Sequence, residues 1–248
     1  MLKKLLALLL ALVMVFSLAA CGSTEDDSQG DNNGTNIDVN GDNNDNNDNN
    51  DNSNEGTSAD NTDNGKEDQN NGFSVGTIQG NRYESDFIGL AFSCPPGWTM
   101  LTAEQIQQRN EQTLGMIGDD YAQAIQNASI VYEMAAASSN QTDNISINLE
   151  KLSGVYVAIT AKEYLELSEA GLKQALQNMG MSDVETEIDT VFIAGQKRDC
   201  VRVTAQYNGI PVYEVVAAIK CGEYIANIAV ATWNDNVCDQ ILGLMQAK

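Results

Sequence analysis

Residues 73–248 predict one α+β domain built on an antiparallel sheet. Three observations carry that expectation. Two segments open with a capping box ahead of apolar residues at helical spacing. Four strand-like segments then follow one another with no helix between them. Between two of those segments lies Asn208-Gly209, a strong signal for a tight hairpin.

Taken in order, Phe87–Cys94 reads as a strand, with Ile88, Leu90, Phe92 and Cys94 on one face by the period of two. Pro95-Pro96-Gly97 stops it, and Arg82-Tyr83-Glu84 just before it suits the first arm of a small hairpin. Thr102-Ala103-Glu104-Gln105 then has capping-box form, with Leu101 and Ile106 at hydrophobic-staple positions. Ile106, Leu114, Ile117, Tyr121 and Ile125 make the expected inner stripe, weakened by Gly115 and Gly118. Segments 129–136 and 144–152 read as strands around a polar turn at 138–143. Thr160-Ala161-Lys162-Glu163 is the second capping box, with Ile159 and Tyr164 at the staple. Leu165, Leu172, Ala175, Leu176 and Met179 share one face of that helix, and Gly180 suits its end. Four strands follow at 184–193, 198–207, 210–220 and 224–233, a meander whose last turn is placed at Cys221-Gly222. A short helix over 235–246 closes the chain, with Cys238, Ile241, Leu242 and Met245 inward. The expected order is β-α-β-β-α-β-β-β-β-α.

The stretch Tyr83…Phe87-Ile88-Gly89-Leu90-Ala91-Phe92…Pro96-Gly97-Trp98 resembles the opening of PsbP-like and Mog1-like domains. The resemblance extends through the order of elements over residues 80–248. It implies an α/β/α arrangement, an antiparallel sheet sandwiched by helices. Those domains include a photosystem accessory subunit, a nuclear-transport factor and exported bacterial proteins. They offer no shared catalytic motif to carry over, so fold alone does not deliver function.

The N-terminus has its own logic. Lys3 and Lys4 precede an uncharged apolar run from Leu5 to Ala20, shorter than the roughly 20 residues of a membrane span. The run ends Leu18-Ala19-Ala20-Cys21-Gly22, which resembles a bacterial lipobox. Residues 1–20 are therefore expected to be a signal peptide, with Cys21 carrying a diacylglycerol thioether that anchors the chain to the outer face of a membrane. An uncleaved anchor, or a secretory signal with a chance cysteine, is the competing reading. Residues 22–72 carry fourteen acidic side chains against Lys66 alone, with only Ile37 and Val39 as sizeable apolar residues. Such composition offsets too little chain entropy to fold. A flexible tether of this length spans roughly 40 Å. Asp38-Val39-Asn40-Gly41-Asp42 looks like the start of a calcium loop but lacks the later ligands and the flanking helices.

Residues 73–248 add 21 acidic and 10 basic side chains, and the whole chain has a formal net charge of −22. That balance argues against nucleic acid and anionic lipid surfaces as partners. The chain contains no histidine, which excludes Ser-His and Cys-His nucleophile pairs and every histidine-containing metal site. Cys94, Cys200, Cys221 and Cys238 show no C-x-x-C spacing. An exported location permits disulfides among them, and buried structural roles are the expected ones. If Asn208-Gly209 forms a two-residue loop, Cys200 faces Ala217 and not Cys221.

Asp119-Asp120 and Glu185-x-Glu187-x-Asp189 are the notable carboxylate groupings. The second places three acids on one face of a strand, suited to a solvated edge or to a cation or acid/base site. Trp98 and Trp233 read as packing plugs at strand ends. No phosphate loop and no Gly-x-Ser-x-Gly elbow is present.

These readings lead to a non-enzymatic binding or accessory module, without cofactor, serving an envelope protein partner on the extracytoplasmic face, in a Gram-positive-type envelope. A solute- or cation-binding lipoprotein is the alternative, and a carboxylate-based hydrolase the second alternative. Metabolic labelling with a fatty acid is expected to mark the wild type and not Cys21→Ser; equal labelling of both contradicts the anchor.

Overall fold

A computed structural model describes residues 72–114, 116, 130–233 and 235–248, with the side chains of 109 and 112–114 excepted. The expected signal peptide, Cys21, the tether and Asp119-Asp120 lie outside the described residues, as do Ile117, Tyr121 and Ile125 of the first helix's stripe.

Eleven strands form two antiparallel sheets among the described residues. The smaller has the order β1-β2-β3-β11, where β1 is Thr77–Gln79, β2 Arg82–Ser85, β3 Leu90–Ser93 and β11 Gln246–Ala247. The larger has the order β4-β5-β6-β10-β9-β8-β7. Its strands are β4 Trp98–Met100, β5 Ile130–Ser138, β6 Asp143–Lys151, β7 Ser182–Ile193, β8 Gln196–Tyr207, β9 Ile210–Cys221 and β10 Tyr224–Trp233. The helices are α1 Ala103–Leu114, α2 Ala161–Asn178 and α3 Cys238–Leu242, with a 3-10 turn at Gly154–Ala158.

Both helix starts follow from their capping boxes. The Thr102 hydroxyl accepts from the Gln105 amide at 3.3 Å, and the Gln105 side chain accepts from the Thr102 amide at 2.9 Å. Thr160 and Glu163 make the same reciprocal pair at 3.2 and 2.8 Å. Each pair satisfies donors that the first helical turn leaves open. Leu101 and Ile106 are both buried, as the staple requires. Along α2, the expected face is the observed one: Leu165, Leu172, Ala175, Leu176 and Met179 are all buried. Each leucine stabilises by about 2 kcal/mol relative to exposure. Gly180 follows with φ +88°, where a side chain is strained.

The meander holds as expected in its hairpins. Asn208 and Gly209 have φ of +52° and +79°, as a type I′ turn needs. Cys200 pairs with Ala217. The last turn is shifted: Cys221 still pairs with Tyr224, so the loop is Gly222-Glu223 and not Cys221-Gly222.

Alternation along the strands divides the core in two. On one face of the large sheet, α2 packs on Val201, Val203, Val212, Val216, Ile225 and Ala229. On the other, Ile145, Ile147, Leu149, Val215, Ile228 and Val230 pack with Tyr83, Leu90 and Phe92 of the small sheet and Ile241 and Leu242 of α3. The antiparallel sheet with accompanying helices is thus present. The α/β/α expectation is corrected on the second face: a small sheet with a five-residue helix lies there, in place of a helical layer.

Other differences are local. The strand expected at 87–94 begins only at Leu90, because Gly89 turns the chain with φ +68°. Ile88 is nonetheless buried with Leu90 and Phe92, and Cys94 packs partly against them. The final helix ends at Leu242, and Gln246–Ala247 pairs with Ala91 and Leu90 as β11. β2, the hairpin arm, together with β1, β4 and β11 adds four strands to the expected order; the last three are each two or three residues long.

Candidate functional site

The centre of the large sheet offers no open face. Every residue of β10 from Tyr224 to Thr232 is buried. Glu185-x-Glu187-x-Asp189 lies on β7, which is an edge strand as expected. Toward this edge α2 continues over one face, while on the other face Glu185, Glu187 and Thr204 are exposed. There a depression of about 580 Å³ is lined by Glu185, Glu187, Arg202, Thr204, Tyr213 and Asn236. Register explains the grouping: Glu185 pairs with Thr204 and Glu187 with Arg202, while Thr204 pairs with Tyr213 on the next strand. Side chains opposite one another across neighbouring strands project to the same face.

One of the three acids is neutralised within the fold. Arg202 Nε donates to Asp189 Oδ2 at 2.6 Å, and its terminal nitrogens donate to Asp239 of α3 at 2.8 and 3.1 Å. The hydrogen bond from Arg202 holds the Asp189 carboxyl below its ordinary range. Arg202 thereby ties β7 and α3 to the sheet. Glu185 and Glu187 are exposed and make no ion pair among the described residues. Lys173 of α2 also lines the depression.

Three buried carboxyl groups escape the sequence reading. Glu133 sits at a bulge in β5, where the register shifts between Tyr132 and Met134. The bulge re-aims it toward the small sheet. Its Oε2 accepts from the Tyr83 hydroxyl at 2.8 Å and the Gly76 amide at 2.6 Å. A side chain at Gly76 would collide with both Glu133 and Tyr83. On the α2 face, Glu150 Oε2 accepts from the Tyr164 hydroxyl at 2.8 Å. Asn227 Nδ2 donates to Asn148 Oδ1 at 3.3 Å and to the Tyr164 hydroxyl at 3.2 Å.

Glu214 is different. It is 2% exposed, and its Oε1 has no hydrogen-bond partner. Burial pushes its carboxyl from the ordinary 4.5 up to about 8. Its neighbour Val215 packs toward the small sheet, and Val212 and Val216 pack toward α2. Alternation therefore turns the Glu214 side chain to the α2 face. The one sequence signal for it is a lone acid within the apolar run Val212–Ile219.

The remaining candidates have structural surroundings. All four domain cysteines are free thiols. Burial raises each of them, Cys200 and Cys238 to about 12, which opposes nucleophile formation at neutral pH. Trp98 packs partly against the small-sheet core. Trp233 packs against the α2 core and meets Tyr207 edge to face at 5.8 Å. Among the described residues no group of three or more His, Cys, Asp or Glu side chains is placed to hold a metal ion. No described helix is long and apolar enough to cross a membrane.

No family model matches the chain, and no curated protein matches it. Among solved structures, a protein of Bacteroides thetaiotaomicron is similar at a TM-score of 0.37 and 11% identity. The match covers 69% of this chain, which spans about half (49%) of that protein. LpqN of Mycobacterium tuberculosis, involved in cell envelope biogenesis, is similar at a TM-score of 0.36 and 12% identity, over 63% of this chain and 82% of that one. These likenesses are remote, and no family model supports the PsbP-like or Mog1-like resemblance.

The Glu214 assignment fixes a pH dependence. Below about pH 4.5 the group is protonated folded and unfolded alike. As pH rises toward 8, the unfolded chain ionises Glu214 and the folded one does not. Glu214's contribution to stability therefore falls over that window, by on the order of 4 kcal/mol in all. Glu214→Gln stays neutral, so its urea midpoint is expected to fall less than the wild type's between pH 5 and pH 8. Parallel profiles contradict the assignment.

Proposed function

We propose that this chain is a lipid-anchored extracytoplasmic binding module that docks an envelope protein through the open margin of its large sheet and performs no chemistry of its own. The depression over β7, β8 and β9 is the observation that carries this reading. There, among the described residues, one face of the sheet presents alternating charged and polar side chains to solvent. Its mixed lining of Glu185, Glu187, Arg202 and Tyr213 suits a polar macromolecular surface better than an apolar ligand.

The hydrolase alternative asks for two acids converging in a cleft. Burial raises both Glu133 and Glu214, but they stand on strands separated by β6 and β10 and turn to opposite faces. The lipid on Cys21 and the tether place the module at the membrane surface, and kinship with PsbP-like and Mog1-like domains remains part of the proposal.

In-cell cross-linking of the full chain, followed by mass spectrometry, tests it. One recurrent envelope protein is expected, lost in Glu187→Arg and in Thr204→Arg, both exposed positions on this face. Capture that persists unchanged in both variants, or no partner above background, overturns the reading.

A further inference from the structure

Among the described residues the two sheets have four outer strands. Three of them are blunt: β1 and β4 have three residues each and β11 two. The fourth, β7, has twelve. A long edge strand presents a row of backbone N–H and C=O groups able to pair with another chain. The usable run is bounded at both ends and interrupted at Thr190, whose carbonyl accepts from Arg202 at 3.3 Å. Near its start the register shifts between Ser182 and Glu185, with Asp183 at φ +51°. At its end Ala194 and Gly195, at φ +49° and +75°, turn the chain into β8.

The two faces of this edge differ. On the depression side stand Glu185, Glu187 and Asp189, and β7 contains no basic residue. Arg202 already engages Asp189, which leaves Glu185 and Glu187 exposed beside the free edge. On the other side stand Thr186, Ile188, Thr190 and Phe192, and Phe192 is 65% exposed.

We propose that β7 takes up an extended basic segment of a partner protein as an eighth strand of the sheet. Alternate Lys or Arg side chains of that segment meet Glu185 and Glu187, and the intervening apolar side chains lie along Ile188 and Phe192. Backbone pairing supplies affinity in this mode, and the alternating side chains supply selectivity. Charge decides the occupant. A second copy of this chain would set one row of acids beside another, which is unfavourable, whereas a basic strand is attracted. The same acids that guard the edge against self-pairing thus select what it accepts. This inference rests on the docking reading above and names the chemistry of the partner.

The test uses the full chain and fluorescent peptides acetyl-(Lys-Val)4-amide and acetyl-(Glu-Val)4-amide, read by anisotropy. The Lys-Val peptide is expected to bind and the Glu-Val peptide not to. Two analogues of the Lys-Val peptide carry backbone N-methyl groups, one on every Lys and one on every Val. Only one set of amides faces β7 in an added strand. One analogue should therefore lose about tenfold or more, since a few backbone hydrogen bonds are removed, while the other keeps most of the affinity. Glu185→Gln with Glu187→Gln should weaken the parent peptide by about fivefold. Equal binding by both methylated analogues, an unchanged double variant, or no binding of the Lys-Val peptide overturns the added strand. If cross-linking in cells still captures a partner through this face when the peptide does not bind, the docking reading survives and the added strand falls. Loss of both overturns both.

Discussion

The rest of the structure depends on the burial of the large sheet's central strands on both faces. β10 lies between β6 and β9 with nine successive residues out of water. An antiparallel sheet commonly keeps one face wet. Here α2 takes one face and the small sheet with α3 the other, so every polar side chain on the central strands must find a partner inside or stay neutral. Tyr164, Glu150, Asn148 and Asn227 form one such linked group beneath α2. Glu133 with Tyr83 forms another, joining the two sheets. Glu214 has no partner for Oε1, and burial raises its carboxyl well above the ordinary carboxylate range.

This constraint also shows where the sequence was readable. The capping boxes at Thr102 and Thr160, the α2 stripe and the Asn208-Gly209 turn are local signals, each decided by neighbours within a few residues, and all appear as expected. β1, β4 and β11 are too short for a period of two to show. They exist because tertiary partners pair with them, as Leu90 and Ala91 do with β11. The alternation Asn144, Ser146, Asn148, Glu150 on β6 has the pattern of a solvent-facing strand, yet all four are buried. Nothing local distinguishes a wet polar face from one closed by a distant tyrosine. The final helix was overdrawn for a related reason: Gln246 and Ala247 continue past Met245 and pair with β3.

The candidate site was half legible. Glu185, Glu187 and Asp189 could be placed on one face of an edge strand by spacing alone. Their separation into one neutralised and two exposed acids could not, because Arg202 and Asp239 lie 13 or more residues away in sequence. The sheet is closed at its centre, and at its β7 margin Glu185, Glu187 and Thr204 are exposed on one face. That margin coincides with the two exposed acids and with the long edge strand β7.

Native-state hydrogen exchange on the full chain tests this division most directly. Amides of β6, β9 and β10 are expected to exchange only with global unfolding. Along β7, between Glu185 and Ile193, protected amides should alternate with fast ones, as one side of the strand pairs with β8 and the other faces water. Uniform protection of β7 at the level of β10 would contradict an open margin.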